Sequence, residues 1–406
     1  MTFKELYLSG QIEFEEIDRY ISKWNNSDDE RTLARYLGLS EKEEDVWIEE
    51  SDEAILELLD SYEKVRGIPV TLGRTGIVVS KNGFGGLPIQ RIPQENSEKL
   101  LRKAYDAGIR FFDTAHDYTD SEEKIGAALS GVRDHIFLAT KTSAKTPDKF
   151  FEDLETSLHN LKTTCIDIYQ FHNPAVCPKP GDGSGLYEAM ESAKRQGRIR
   201  FIGITNHRMP VAEEAVESGL YDTLQFPFNY LSTERETALA AACREKNMGF
   251  IAMKGLSGGL LHDSRVVYAY MTQYDNVLPI WGIQRESELD EFIGYMDEPP
   301  KMTEELAAAI EKDRKELGGN FCRGCGYCLP CPAGIEINNC ARMSLMLRRF
   351  PPELNLTPEV QSKMKKIENC LHCGKCSSKC PYGLNTPKLL EENYKDYREV
   401  LDGKPL

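Results

Sequence analysis

Between residues 82 and 282 the chain repeats one rhythm: a short apolar run, a polar turn, then an amphipathic stretch of helix length. The runs are NGFGG, RFFDT, HIFLATK, IDIYQFH, IRFIGIT, DTLQFPF, GFIAMK and NVLPIWG. Short apolar runs bounded by turn residues predict buried strands, and the stretches between them predict helices. Helix starts are marked by Thr146 followed by Pro147, and by Ser232 ahead of ERETALAAACREK. Strands alternating with helices imply parallel pairing through right-handed crossovers. Eight such units predict an α/β fold, a closed (β/α)8 TIM barrel over residues 66–300. The alternative, an open doubly wound sheet, lacks a GxGxxG turn after an early strand.

Two flanking regions break the rhythm. In residues 1–65, Phe14, Ile17, Ile21 and Trp24 fall at helical spacing, and TLARYLGLSEKEEDVW restarts after a glycine-bearing turn. This predicts a small helical N-terminal module, in which LARYLGLS has the look of a helix-turn-helix turn. Residues 301–406 open with the helix TEELAAAIEKDRKEL and carry two further helix starts, Thr357-Pro358 and Thr386-Pro387. The Met/Leu stripe of CARMSLMLRRF is read as core packing.

Charge narrows the partners. Residues 1–65 hold 19 Asp/Glu against 7 Lys/Arg, so most of the net charge of −15 sits there. An acidic surface excludes nucleic acid and anionic membrane, which both require a basic footprint. It leaves two roles open for the module: steering a basic redox-protein donor or acceptor, and self-association. MTFKELYLSGQIEFEE has no continuous apolar core of an export signal, and no stretch reaches membrane-spanning length. The expectation is a cytoplasmic chain.

The chain has twelve cysteines, and a reducing compartment, which does not preserve disulfides, favours a metal reading for the eight that fall in two runs. Cys370, Cys373, Cys376 and Cys380, followed by Pro381, form CxxCxxCxxxCP, the bacterial ferredoxin spacing for [4Fe–4S] clusters. Zinc ribbons use CxxC pairs across a longer loop and need no third cysteine two residues on. Cys322, Cys325, Cys328 and Cys331, followed by Pro332, form a similar run that is one residue shorter between its last two cysteines. By resemblance to two-cluster ferredoxins, Cys322, Cys325, Cys328 and Cys380 hold one cluster, and Cys370, Cys373, Cys376 and Cys331 hold the other. Cys165, Cys177, Cys243 and Cys340 are read as small buried hydrophobes.

Four polar residues mark the ends of successive strand runs or the loop just beyond them: Asp113, Tyr118, Lys141 and His172. Barrels build active sites on that face. A tyrosine with an ordinary pKa near 10 needs help to protonate a carbonyl oxygen. A lysine ammonium favours the phenolate, a carboxylate keeps the lysine charged, and a histidine orients the substrate oxygen or relays a proton.

GRTG, GFGG, FFDTA, Tyr118 ahead of SEEKIG, ATK at 139–141, FH at 171–172, GITN at 203–206, LQFPFN at 224–229 and MKGLSGGLL at 253–261 stand in an order that resembles the aldo/keto reductase family over residues 66–297. The resemblance implies a barrel reductase using NADP(H), with Asp113, Tyr118, Lys141 and His172 as catalytic tetrad and Tyr118 as general acid. It implies Asn206 and Gln225 as holders of the nicotinamide carboxamide, and Met253 and Lys254 where many members stack a tyrosine on the nicotinamide. Gln284, Arg285 and Glu288 fall in the segment that grips the adenosine 2′-phosphate, and Phe292 stands where an asparagine is common.

The expected function is thus reduction of a small-molecule carbonyl or related electrophile by an oxidoreductase wired to a C-terminal ferredoxin-like domain. NADPH delivers a hydride, whereas a cluster passes single electrons. Two mechanisms stand: hydride chemistry with the clusters in structure or sensing, and a cluster-fed reductase without nicotinamide. A third reading is a redox-sensing binding protein with an inactive barrel.

Overall fold

All eight apolar runs form strands of one closed barrel. A short antiparallel hairpin, β1 (Pro69–Thr71) and β2 (Val78–Ser80), precedes it. The barrel strands are β3 (Gly83–Gly85), β4 (Phe111–Asp113), β5 (Phe137–Thr142), β6 (Ile166–His172), β7 (Ile199–Thr205), β8 (Thr223–Pro227), β9 (Gly249–Met253) and β10 (Val277–Gly282). They pair in parallel in sequence order, and β10 closes on β3 with Trp281 opposite Phe84. The computed structural model describes residues 1–317 and 321–405. The chain divides into two units: Met1–Gly255 with Arg265–Thr303, and Leu256–Ser264 with Glu304–Leu406.

Local chemistry sets the helix boundaries. Thr146 caps helix Pro147–Asn160 by accepting from the Lys149 amide at 3.3 Å. The helix after β8 starts one residue later than the sequence suggests: Thr233, not Ser232, is its cap. The reason is a capping box in which Glu236 reaches back to the Thr233 amide at 2.7 Å.

The helices of residues 1–65 lie in the first unit with the barrel. Phe3, Leu37, Ile55 and Leu59 are fully buried and cluster with Val78 of the hairpin. Each such side chain contributes about 1.5–3 kcal/mol relative to exposure. Lys4, also fully buried, donates to Glu43 at 2.6 and 2.8 Å and to the Gly76 carbonyl at 2.7 Å. Glu5 accepts from the Thr71 amide and hydroxyl at 2.9 and 2.8 Å. The LARYLGLS turn closes helix Leu33–Leu37 with Gly38 at φ +84°. A Cβ there would sit 2.4 Å from the Thr2 hydroxyl, so the position requires glycine.

In the second unit the described residues form helices and loops: Glu304–Leu317, Ile337–Cys340, Met343–Arg349, Pro358–Lys365, Lys375–Ser378 and Thr386–Leu401. Cys340, Met343 and Leu347 of the Met/Leu stripe are buried among Met364, Leu390 and Tyr397. Thr357 caps its helix as its sequence suggests, whereas the cap of the last helix is Asn385, one residue ahead of Thr386. No helix among the described residues is long and apolar enough to cross a membrane.

Candidate functional site

Strand alternation sorts the side chains of β5. Thr140 and Thr142 bond outward to Glu122 and Asp153 on the surrounding helices, both at 2.6 Å. The intervening Lys141 therefore faces the barrel interior, where it is fully buried. Its ammonium donates to both carboxylate oxygens of Asp113, at 2.8 and 2.7 Å, and to the Thr114 carbonyl at 2.5 Å. Burial alone would push Asp113 up and Lys141 down, and their mutual attraction opposes both. Gln170 and Gln225 complete the carboxylate's surroundings, each donating from Nε2 at 3.4 Å.

Tyr118 stands beside this pair. The Lys141 ammonium is 5.5 Å from its ring centroid, and its ring meets that of His172 edge-on at 5.8 Å. The loop that carries Tyr118 approaches Gly86 closely: Ser121 donates to the Gly86 carbonyl at 3.0 Å, and a Cβ on Gly86 would lie 2.9 Å from that hydroxyl. The last glycine of NGFGG, Gly86, thus makes room for the loop. Left-handed backbone recurs beyond the strand ends, at Thr119 (φ +43°), Asn173 (φ +52°) and Lys254 (φ +62°). Such backbone costs energy in a β-branched residue such as Thr119.

His172 sits at the end of β6, largely buried, and burial lowers its pKa. Its Nδ1 lies 3.3 Å from Oδ2 of Asp117, whose carboxyl is held below its usual range by that neighbour. Sequence reading missed Asp117, Gln170 and the contact of Gln225 with Asp113. Signals existed: Asp117 adjoins Tyr118, and Gln170 precedes His172 by the strand period of two.

The residues expected to hold a nucleotide divide. Oε1 of Gln225 is buried without a hydrogen-bond partner, an acceptor that fits a carboxamide N–H; Oε1 of Gln170 is in the same condition. Asn206 is instead committed within the protein: Nδ2 donates to the Pro174 carbonyl in the loop after β6 at 2.9 Å, and Oδ1 accepts from the amides of His207 and Arg208 at 2.9 and 2.8 Å. Met253 ends β9, and the Lys254 carbonyl accepts from Asn229 at 2.9 Å. Arg285 and Glu288 pair with each other at 2.8 and 2.5 Å, the carboxylate also capping helix Glu286–Asp297 through the Gln284 and Arg285 amides at 2.9 and 3.1 Å. Phe292 is buried and stacked on Trp281 at 4.4 Å. Cys177, in the loop after β6, is buried with its Sγ 3.6 Å from the Tyr221 hydroxyl, a core residue as expected. Cys243 and Cys340 are buried likewise, and Cys165 is half-buried.

None of the twelve cysteines is joined in a disulfide. Among the described residues, no group of three or more His, Cys, Asp or Glu converges on a single-ion site. The eight motif cysteines instead line two cavities. Cys322, Cys325, Cys328 and Cys380 border one of them. Cys331, Cys370, Cys373 and Cys376 border the other, which Cys328 also touches. Burial raises the thiols of Cys322 and Cys376, and pushes Cys328 up to about 12. Thiolates gathered in such places call for compensating metal charge, which is the chemistry of an iron–sulfur donor set.

Comparisons with known proteins match the barrel and the cysteine-rich region separately. Residues 81–267 match the Aldo/keto reductase family, and residues 321–385 match a 4Fe-4S dicluster domain. Aldo-keto reductase YhdN of Bacillus subtilis is 28% identical over 210 residues, covering 47% of this chain and 62% of that protein. Aldo-keto reductase str7 of Strobilurus tenacellus is 31% identical over 205 residues, covering 45% and 60%. The oxidoreductase YrpG of Bacillus subtilis is 30% identical over 221 residues, covering 47% and 67%. The chain thus spans about 60% of the length of the first curated relatives it matches. In fold it is similar to the holo form of an aldo-keto reductase from Bacillus halodurans (TM-score 0.54, 22% identity, 60% of this chain and 95% of that one). It is also similar to one from Klebsiella pneumoniae in complex with NADPH (TM-score 0.52, 21% identity, 60% and 94%). The chain belongs to the aldo/keto reductase family and carries a 4Fe-4S dicluster domain after its barrel.

Proposed function

We propose that the protein is an oxidoreductase that reduces a small-molecule carbonyl or related electrophile, with Tyr118 as general acid and with two [4Fe–4S] clusters in its C-terminal unit. The single observation that carries this is the buried Asp113–Lys141 pair beside Tyr118 and His172 at the C-terminal ends of the barrel strands. Asp113 keeps Lys141 charged and fixed, and the ammonium lowers the cost of a phenolate at Tyr118. Tyr118 gives its proton to the substrate oxygen, which His172 orients. NADPH, when bound, supplies the hydride that completes the alcohol, and a cluster supplies single electrons. The expected residues for the nucleotide are Gln225, whose open Oε1 suits the carboxamide, with Asn206, Met253, Lys254, Gln284, Arg285 and Glu288, of which Asn206 and Arg285 would have to release their present partners. The cluster ligands are Cys322, Cys325, Cys328 and Cys380 for one, and Cys331, Cys370, Cys373 and Cys376 for the other. Eight reduced thiols suit a cytoplasmic setting. Exposed Cys373 suits exchange with a redox-protein partner. Anaerobically purified protein should contain about eight iron atoms, and reduction of carbonyl probes should disappear in Tyr118→Phe.

A second reading, a cluster-fed reductase without nicotinamide, is favoured by one feature: the guanidinium suited to a 2′-phosphate, that of Arg285, is already bound to Glu288. Fluorescence titration separates the two. Micromolar NADPH binding supports hydride chemistry. No binding, together with turnover driven by a low-potential one-electron reductant, supports the second reading.

A further inference from the structure

Three arginines fall within eight positions of the second unit, and two have carboxylate partners. Arg348 pairs with Asp396 at 2.6 Å, and Arg349 with Asp313 and Glu316 at 2.5 and 2.9 Å. Arg342 is the most buried of the three, at 8% exposure, and has no carboxylate partner among the described residues. Its Nη2 donates to the Gly258 carbonyl at 2.7 Å and faces the Met346 sulfur at 3.4 Å. A guanidinium buried without a counter-ion is costly, so such a group implies an anion nearby. The first cysteine loop, which carries Cys322 and Cys325 on either side of Gly324, runs beside it.

Two glycines let the guanidinium lie where it does. A Cβ on Gly324, between Cys322 and Cys325, would come within 2.7 Å of Nη1, and one on Gly258 within 3.0 Å. Arg342 is therefore held between the first cysteine loop and the segment Leu256–Ser264. That segment is fastened a second time: Arg349 donates to the Leu260 carbonyl at 2.7 Å, and His262 meets Phe350 edge-on at 4.8 Å. Through Gly255 it is the direct continuation of Met253 and Lys254 at the end of β9.

We propose that Arg342 is the counter-cation of the cluster held by Cys322, Cys325, Cys328 and Cys380, and that it ties the charge of that cluster to the segment Leu256–Ser264. The proposal rests on the reading of these thiols as [4Fe–4S] ligands. Four thiolates make the assembly an anion, and one-electron reduction adds one further negative charge beside the guanidinium. A fixed, desolvated cation at that point favours the reduced state and raises the potential of this cluster. The other thiol group, with Cys373 exposed, is better screened by water. Arg342 is thus a positioning and potential-setting residue, not a catalytic one.

The experiment is an anaerobic redox titration followed by electron paramagnetic resonance, on the full chain and on Arg342→Gln and Arg342→Lys, with iron analysis of each. In Arg342→Gln one midpoint should move to more negative potential while the other stays, and hydrogen exchange at 256–264 should rise. Arg342→Lys should recover most of the midpoint but less of the protection, since it keeps the charge and loses the fork. Should Arg342→Gln fail to retain iron, Gly258→Ala, which displaces the guanidinium without removing it, should move the same midpoint in the same direction. Unchanged midpoints in iron-replete variants overturn the proposal. Wild-type protein without about eight irons overturns the cluster reading instead.

Discussion

Nδ1 of His172 lies 3.3 Å from Oδ2 of Asp117, the residue immediately before Tyr118. A carboxylate at that distance favours the protonated imidazole, against the burial that favours the neutral one. Asp117 thereby acts on the charge and the tautomer of the histidine that faces the tyrosine ring.

Removing that carboxylate should leave burial with less to oppose it. In Asp117→Asn the His172 pKa falls further, so the limb of the kcat/KM profile that reports His172 moves to lower pH. A pH profile of wild type and variant measures this directly. A merely structural Asp117 would lower the plateau without moving the limb.

Stability carries the same sign. His172 has a folded pKa below its unfolded value near 6.5, so the unfolded chain takes up its proton first as the solution is acidified. Its contribution is present above pH 6.5 and is lost as pH falls through the lower, folded value. The contribution of Asp117, with a folded pKa below the usual carboxylate range, is present above pH ~4 and is lost below that. Thermal unfolding between pH 8 and 5, compared between wild type and Asp117→Asn, reports the His172 step as the difference, and that step should be larger in the variant.

The Asp113–Lys141 pair makes a prediction about stability as well as rate. Lys141→Met strands a buried carboxylate, which costs about 3–5 kcal/mol when one partner of a buried pair is removed. The double change Asp113→Asn with Lys141→Met removes both charges and should recover much of that loss in denaturant unfolding. Neither protein should reduce carbonyls at the wild-type rate, because removal of a proton-transfer group costs about 10²–10⁴-fold. Recovered stability without recovered turnover separates the two roles of the pair.

Lys4 and Glu43 pose the same test far from the site. Their contact at 2.6 Å is buried at both ends and fixes helices Phe3–Leu8 and Glu41–Glu49 to each other, while Lys4 also reaches the Gly76 carbonyl of the hairpin turn. Lys4→Met should therefore destabilise the unit by about 3–5 kcal/mol, with Glu43→Gln added to it restoring part. Removing residues 1–65 uncovers Val78 and the donors of Thr71, so the truncated chain should unfold at lower denaturant than the full one.

The barrel was legible because each strand run is short, apolar and bounded by turns, and because parallel strands bury both faces. The strand-end residues were legible for the same reason: once Asp113, Lys141 and His172 fall at run ends, the topology brings them to one face. What escaped is what a one-dimensional pattern does not encode. Gln225 meets Asp113 across the barrel, from a strand 112 residues later. Asn206 looks identical in sequence whether its amide binds a ligand or closes its own turn. The acidity of residues 1–65 was plain, whereas the buried Lys4–Glu43 pair that fastens them depends on a three-dimensional meeting of two unremarkable charges. Cap positions slipped by one residue at Thr233 and Asn385, where neighbouring Ser, Thr and Asn compete for the same role.

Cys331 offers the sharpest test of the C-terminal unit, because its spacing is the one that departs from the ferredoxin run. Its thiol borders the same cavity as Cys370, Cys373 and Cys376, and not the one bordered by Cys322, Cys325 and Cys380. A serine there removes one thiolate from the second group alone. Cys331→Ser should therefore lose or convert one cluster, reducing iron from about eight toward about four, while the spectrum of the remaining cluster is unchanged. Cys322→Ser should do the reverse, and it should also release Arg342 from its anion. Iron analysis and low-temperature spectra of the two variants side by side decide the pairing. Loss of the same cluster in both would contradict the two-cavity division, since Cys331 and Cys322 would then serve one site.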